Sequence, residues 1–524
     1  MFFYLLVTLL ALIYFVSTRK YDYWKKRNVP HIKPTFMLGN YGDWILMKKF
    51  MGKFLQELCM KFPNEKFIGA YYGTEPVLIP KDPEIIKLIV TKDFYYFNGR
   101  DLSEHSHKEP ASRNLLISHG DNWKVLRQNM TPLFSTAKIK NMFHLIENCA
   151  YAFESMLDRE IGMSAQIEAE DLTSRYTIEC IVACAFGVDA NTMSDDVADN
   201  PFKKIARFGN PPKLVAAIRF LRSVWPSIFY GLGLKLVGKQ MDFFNNLISN
   251  VMSTRNYKPS GRNDFVDIIL NWKQSNKIVG DSMKNVKTGE SLKVTLDADD
   301  DLLVAQCFLF FNAGFGTSSS TLSFTFYELA KNKEIQDKVL AEVDSFVARH
   351  KNKLDYECVT ELPYLEAVIS EALRLHPILS MITREVMEDY TLPGGVRLSK
   401  GLRVHIPVYY LHYNPEYFPE PEEFRPERFL GEEKRNINPY TYLPFGEGPR
   451  NCIGKPMLTS SILSYIILRI YFYFQFSFSF ILFSTFLHLT KPLSGWRKKM
   501  WAVIFKQFVR DAQKLATMFS ECRD

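Results

Sequence analysis

A ten-residue run near the end of the chain constrains its fold more than any other feature. The run reads Phe445-Gly446-Glu447-Gly448-Pro449-Arg450-Asn451-Cys452-Ile453-Gly454. Its glycines and proline predict a turn, because glycine tolerates unusual backbone angles and proline fixes φ. A thiolate in such a turn is stabilised by backbone N–H groups and by a nearby cation such as Arg450. Cys452 is therefore a candidate metal ligand, and the alternative is a buried structural thiol.

The composition is that of a globular protein with a large core. Apolar residues make up 47% and charged residues 23% of the 524 residues, which allows one large domain or several ordinary ones. The formal net charge of +8 suits a membrane surface or an acidic protein partner, and no dense Lys/Arg run indicates nucleic-acid binding. The eight cysteines lack paired zinc spacing, so most are expected to be buried thiols in a reducing compartment.

The N-terminus predicts a membrane anchor. Residues 2–17 are uncharged and apolar, and a basic cluster follows within residues 19–27. The apolar run is short for a full span, so a cleaved signal peptide is the alternative. Because no positive residue precedes the run and no small-x-small site follows it, we predict a signal-anchor helix over residues 1–18. The basic cluster predicts that the downstream chain lies in the cytosol. The first part of that chain is predicted to be a basic, proline-containing hinge over residues 19–40.

Hydrophobic periodicity predicts helices through most of the remaining chain. The longest apolar helix is predicted over residues 302–330, and an amphipathic helix with charge on one face over residues 332–349. Strand residues concentrate in 378–409, around the turn Pro393-Gly394-Gly395. The polar stretch 274–293 is predicted to be a mobile loop. These patterns together predict a large, mainly α domain with a minor β region.

Four further motifs lie between the anchor and the cysteine run. They are Trp123-Lys124-Val125-Leu126-Arg127, Ala313-Gly314-Phe315-Gly316-Thr317-Ser318, Glu371-Ala372-Leu373-Arg374 and Pro426-Glu427-Arg428-Phe429. Over roughly residues 30 to 455, their order and spacing resemble those of the cytochrome P-450 monooxygenases. The runs 310–315 and 131–134 look most like insect microsomal members that handle xenobiotics. The resemblance implies the P-450 prism fold, mainly α with a minor β region, behind the N-terminal membrane anchor, with the catalytic domain over residues 41–455.

By this resemblance the cofactor is haem b, with Cys452 as its axial thiolate ligand. Thiolate ligation of haem iron favours O–O bond cleavage. Phe445 opens the haem-binding loop. The family's contacts to the haem propionates align with Trp123, Arg127, Arg384 and Arg450. Buried carboxylates require such partners, although each arginine taken singly is more often a solvated surface charge.

Glu371 and Arg374 lie three residues apart, so on a helix they face the same side. An exposed pair of this kind contributes little to stability, and that is its ordinary interpretation. The resemblance couples the pair to Arg428 in a buried charge network behind the haem. Since guanidinium groups suit bidentate pairing, we expect this network to hold the cysteine loop in place.

The helix predicted over residues 302–330 carries Gly314 and Gly316, each of which costs roughly 1 kcal/mol relative to alanine. A ligand pressed against the backbone would account for both. In the family, Thr317 would hydrogen-bond the oxygen molecule at the haem, and the alternative is a hydroxyl bonded to the preceding turn. Gly316 stands where the family has an acidic residue. This departure predicts slower or poorly coupled turnover, with more reduced oxygen lost as peroxide.

The chain departs from the family again after Lys455. Residues 456–524 contain an aromatic, low-complexity stretch from Ile470 to Leu487, where the family continues with a helix and two strands. This uncharged stretch could nominally span a bilayer, but an anchor there would lie too close to the haem loop for the fold. We therefore interpret 456–524 as an atypical segment, such as a retained intron or a mispredicted exon.

The predicted reaction inserts one oxygen atom of O2 into an apolar small molecule, either a xenobiotic or a lipid-like compound. Electrons would come from NADPH through cytochrome P-450 reductase, with cytochrome b5 as a second candidate donor, at the cytosolic face of the endoplasmic reticulum membrane. Candidate substrate contacts lie at 100–120, 205–235, Phe311, Phe315 and Leu379 to Ile382. Two alternatives remain: a haem-thiolate enzyme that uses peroxide or rearranges its substrate, and a non-functional haem protein with a defective C-terminus.

Overall fold

The structure is a computed structural model. It describes residues 2–457 and 459, with gaps at 47, 102, 164–167, 195–198, 207–217, 219–220, 236–237, 263, 352–355 and 357. The segment 456–524 therefore lies outside the described residues, apart from Pro456, Met457 and Thr459. So does much of the predicted substrate loop 205–235.

The described chain is mainly helical, as predicted. In chain order its α-helices are α1 (Phe2–Thr18), α2 (Gly42–Ile45), α3 (Met51–Met60), α4 (Pro83–Lys87), α5 (Gly120–Met130), α6 (Thr136–Met163), α7 (Ala169–Ile181), α8 (Pro201–Ala206), α9 (Pro226–Gly231), α10 (Gly238–Thr254), α11 (Phe265–Ser275), α12 (Asn285–Thr288), α13 (Asp300–Lys331), α14 (Lys333–Arg349), α15 (Cys358–Glu361), α16 (Pro363–Leu375), α17 (Val408–His412) and α18 (Gly431–Asn436). Short 3-10 and π turns connect several of them. The helices predicted over residues 302–330 and 332–349 are confirmed as α13 and α14.

In the part of the chain that the structure describes, eight short strands form the minor β region. They are β1 (Phe67–Tyr72), β2 (Glu75–Pro80), β3 (Lys277–Asp281), β4 (Lys293–Asp297), β5 (Ile382–Glu385), β6 (Tyr390–Thr391), β7 (Arg397–Leu398) and β8 (Arg403–Ile406). One sheet has the order β1-β2-β8-β5, in which only the β2–β8 pair is parallel. The pairs β3–β4 and β6–β7 are antiparallel ribbons. The predicted strand region 378–409 thus holds four of the strands.

Helix α13 links two hydrophobic clusters, which explains its apolar sequence. Leu303 and Phe311 belong to one cluster, and Leu322 and Leu329 to the other. The helix begins where the Asp299 side chain accepts a hydrogen bond from the N–H of Leu302 at 2.8 Å, which satisfies an otherwise unpaired donor at the first turn. Of the helices described, α13 is the one long and apolar enough to cross a membrane, yet 56% of its most apolar stretch is buried in protein.

Helices α7 and α13 approach each other closely through small and hydroxyl residues. The Thr173 hydroxyl lies 2.9 Å from that of Ser319. A Cβ added to Gly314 would lie 2.7 Å from Cδ1 of Ile181, closer than side chains tolerate. Close packing against Ile181 of α7 therefore favours glycine at position 314, and the ligand contact predicted from the sequence stays a prediction.

The loop prediction for 274–293 is wrong, because half of these residues lie in β3, α12 and the start of β4, and residues 274–275 end α11. The β3 strand packs on α5 with Ile278 and Gly280 buried. Gln128 of α5 accepts from the N–H of Asp281 at 2.8 Å, and Asn129 donates to the carbonyl of Val279 at 3.0 Å. Pairing with β4 and these side-chain contacts from α5 therefore hold the segment in an extended form.

The predicted N-terminal helix is present as α1. Its large apolar side chains are exposed, among them Phe2, Phe15 and Leu12. Beyond it, Trp24 is fully buried and donates from its indole nitrogen to the carbonyl of Ala70 in β1 at 2.9 Å. The hinge region 19–40 is thus fixed to the four-stranded sheet.

Candidate functional site

The cysteine run forms a tight turn that presents Cys452. The N–H of Cys452 donates to the carbonyl of Phe445 at 2.8 Å, which closes the turn. Gly448 has φ +75°, and a Cβ added there would lie 1.8 Å from the carbonyl oxygen of Val90. Only glycine fits this position. Among the described free cysteines, Cys452 is exposed and the others are buried.

The groups around the Cys452 sulfur have opposing effects on the pKa of its thiol. Although Cys452 is exposed as a residue, the protein atoms around its thiol partly desolvate the sulfur and raise its pKa above the ordinary value, and this is the largest influence. The backbone N–H groups of Gly454 and Lys455 and the positive charge of Arg127 lower that pKa, because they favour the thiolate. The turn therefore provides donors for a negatively charged sulfur.

Arg384 and Arg450 form a buried cationic pair beside this turn. Arg450 lies with its guanidinium carbon 4.8 Å from the ring centroid of Trp123, and it donates to the carbonyls of Leu116 and Ser118. Arg384 donates to the carbonyl of Thr383 at 2.9 Å. Among the residues that the structure describes, the Nε atoms of both arginines are buried without a hydrogen-bond partner. The pKa of each of these two arginines lies well below its usual range. The main cause is burial of the guanidinium, and the second is repulsion from neighbouring arginines.

These observations fit a buried dianion. Buried cations that retain unpaired N–H groups require an anionic partner in a low-dielectric site. Haem b supplies two propionates and an iron that accepts a thiolate, so the residues present fit that group. The structure places Trp123 and Arg384 beside Arg450, which lies two residues before Cys452, and the predicted contacts of these residues with haem stay a prediction.

Arg127 has a different contact from the one predicted. Its two Nη atoms donate to the backbone carbonyl and the side-chain oxygen of Asn451, both at 2.8 Å. Arg127 thus fixes the residue before Cys452, and its predicted propionate contact stays a prediction. Sequence reasoning missed Arg100, whose pKa burial lowers to about 10 and whose charge in turn lowers the pKa of Arg384 and Arg450. The sole sequence signal for Arg100 was its place in the loop 100–120.

On α13, the Thr317 hydroxyl donates to the carbonyl of Ala313 at 2.7 Å. This is the contact to the preceding turn that was the alternative for this residue. A Cβ added to Gly316 would meet nothing within 4 Å. Of the two candidate substrate phenylalanines, Phe311 is fully buried, with its ring centroid 5.3 Å from that of Phe244. Phe311 is therefore a core residue in this structure, whereas Phe315 is half-buried.

The predicted charge network is present and buried. Arg374 donates from Nε and Nη2 to the two carboxylate oxygens of Glu371, both at 2.8 Å. Arg428 lies with Nε 3.4 Å from Glu371 Oε1, and the N–H of Arg425 donates to the same oxygen at 2.9 Å. Arg374 also donates to the backbone carbonyls of His412, Pro421 and Glu423. The network therefore joins α16 to the segment 412–428.

Comparison with known proteins agrees with this site. A model of the Cytochrome P-450 family matches residues 30–479. Cytochrome P-450 6B2 of Helicoverpa armigera is 38% identical over 451 residues, which cover 85% of this chain and 86% of the relative. Cytochrome P-450 6B5 of Papilio glaucus is 36% identical over 451 residues, with 85% and 92% covered. Cytochrome P-450 6j1 of Blattella germanica is 33% identical over 452 residues, with 86% of each covered. The predicted resemblance to insect members is confirmed, and the chain belongs to the cytochrome P-450 monooxygenase family.

Proposed function

We propose that this chain inserts one oxygen atom of O2 into an apolar small molecule, either a xenobiotic or a lipid-like compound, using electrons from NADPH. The observation that carries the proposal is the exposed Cys452 on a glycine turn beside buried, incompletely paired arginines. Bound haem would supply the oxygen-activating chemistry. Cys452 would be its axial ligand, with Gly454 and Lys455 donating to the sulfur. Arg384, Arg450 and the Trp123 indole would hold the propionates.

The electron donor we propose is a membrane-bound flavoprotein, NADPH–cytochrome P-450 reductase, with cytochrome b5 as a second candidate. The exposed apolar side chains of α1 support attachment to the endoplasmic reticulum membrane. The basic residues after α1 support a catalytic domain in the cytosol. An excess of positive charge suits an acidic redox partner.

Turnover of the purified, haem-loaded full chain tests this proposal against its main alternative. With reductase, NADPH and O2, we expect oxygenated product from an apolar substrate panel, and product formation should stop when the reductase is omitted. Peroxide-supported product without any NADPH-supported product would favour the peroxide-using alternative. If the purified chain bound no haem, that result would favour the other alternative, a non-functional protein with a defective segment 456–524.

The open space at Gly316 leads to a prediction about coupling. Gly316→Glu places a carboxylate on α13 one residue before Thr317, and the structure has room for its Cβ. Since a positioned acid delivers protons efficiently, we expect more product per NADPH consumed and less peroxide released. Gly316→Gln is the matched control, because it adds the same volume without a titratable group. Equal product ratios in the Glu variant and the parent chain would contradict the prediction.

A further inference from the structure

His412 lies between the Glu371 network and the cysteine turn. It ends α17 and its side chain is fully buried. Its Nδ1 lies 3.1 Å from the backbone carbonyl of Arg374, and the N–H of Leu443 donates to its Nε2 at 2.9 Å. Leu443 comes two residues before Phe445, whose carbonyl closes the turn onto Cys452.

The two partners fix the protonation of the ring. A backbone carbonyl can only accept, so Nδ1 must carry a hydrogen, and a backbone N–H can only donate, so Nε2 must carry none. His412 is therefore the neutral Nδ1–H tautomer, with both ring nitrogens satisfied. Burial, the largest influence, lowers the pKa of this imidazole to about 3, in agreement with a neutral ring.

Two further contacts tie the same segments together. Nη1 of Arg374 donates back to the carbonyl of His412 at 2.9 Å. The imidazole ring stacks on Tyr442 with 5.3 Å between centroids, and the Tyr442 hydroxyl donates to the carbonyl of Ser370 at 2.8 Å. Residues 370–374 of α16 are thus bound to residues 442–443 through one imidazole and its neighbour.

We propose that His412 is a positioning residue that sets the cysteine turn relative to α16 and thereby keeps Cys452 in place as a metal ligand. The second part of this proposal rests on the proposed function. Histidine suits the position because its ring carries a donor and an acceptor that point in different directions at a fixed separation. His412 touches none of the reacting groups, so its effect would act through Leu443 and Phe445.

The test uses the haem-loaded full chain with two readouts. His412→Phe keeps an aromatic ring against Tyr442 and removes both hydrogen bonds. His405→Phe is the matched control, because His405 is also fully buried and bonded on both ring nitrogens, to Tyr41 at 2.8 Å and Asp101 at 3.2 Å. His412→Gln retains one donor and one acceptor, and it takes the place of His412→Phe if that variant does not accumulate.

The first readout is amide hydrogen exchange over residues 443–452. We expect exchange there to be at least several-fold faster in His412→Phe, close to the parent rate in His405→Phe, and intermediate in His412→Gln. The second readout is the fraction of bound haem whose reduced carbon monoxide complex shows the red-shifted, thiolate-type Soret band, which should fall in His412→Phe alone. Unchanged exchange and an unchanged thiolate fraction in His412→Phe would overturn the proposal. If the parent chain lacked the thiolate band while exchange still rose in His412→Phe alone, the proposed function would fail and the positioning role would stand.

Discussion

Cys452→Ser is expected to abolish the red-shifted Soret band of the reduced carbon monoxide complex and to abolish oxygenation. A serine hydroxyl does not ionise near neutral pH, so it cannot replace a thiolate ligand. The turn itself should survive, because the hydrogen bond that closes it runs from the backbone N–H of residue 452 to Phe445. Haem content, the carbon monoxide difference spectrum and product formation with reductase and NADPH measure the effect.

Cys59→Ala is the control for this prediction. Cys59 is fully buried in a separate hydrophobic cluster, and burial raises the pKa of its thiol to about 12, so it remains a neutral apolar side chain. This variant should keep the thiolate-type band and lose only some stability. A Cys452→Ser protein that retained the band would show that another group ligates the iron.

The sequence predicted the elements whose signals are local. The long apolar run predicts α13, and the amphipathic run after it, with charge on one face, predicts α14. Strand residues around Pro393-Gly394-Gly395 likewise predict the short ribbon β6–β7, since glycine and proline punctuate strands.

Elements that depend on tertiary partners could not be predicted in this way. Strand β3 exposes alternate side chains, and it is held by pairing with β4 and by hydrogen bonds with Gln128 and Asn129 of α5. No local pattern in 274–293 identifies these distant partners. The contact of Gly314 could not be predicted from local sequence either, because the residue that favours glycine there is Ile181 on another helix.

Some residues of the candidate site could likewise be predicted from the sequence, and others could not. The ten-residue run identifies Cys452 and Arg450, because its residue types and spacing are specific to one kind of site. Glu371 is identified by its spacing to Arg374 together with the later motif that contains Arg428. The sequence does not reveal that Arg127 contacts Asn451, or that Arg100 joins the buried cations, since both facts depend on how loops meet in space. His412 has no motif at all. Its importance follows from two backbone groups, on Arg374 and Leu443, that meet its ring.

Glu371→Gln is expected to destabilise the fold by about 3–5 kcal/mol, the usual cost of removing one partner of a buried ion pair. Glu371 and Arg374 are both fully buried, and Arg428 is nearly so. A carboxamide accepts through one oxygen only and would present an N–H group to a guanidinium that also donates. Two buried guanidinium groups would then lack their carboxylate. Since a domain is stable by only about 5–15 kcal/mol in total, a loss of this size should also weaken haem retention.

Glu366→Gln on the same helix is the control, because it removes an exposed carboxylate and so shows how much of the effect of Glu371→Gln is due to burial. Glu366 is exposed and pairs with Lys434 at 3.5 Å, and such a surface pair contributes only about 0–1 kcal/mol. Urea unfolding and the rate of haem loss, measured for both variants, separate the two cases. Similar unfolding midpoints would mean that the Glu371 network adds no more stability than a surface pair. A large difference would instead show that the carboxylate between Arg374 and Arg428 holds α16 against the segment that leads through His412 to Cys452.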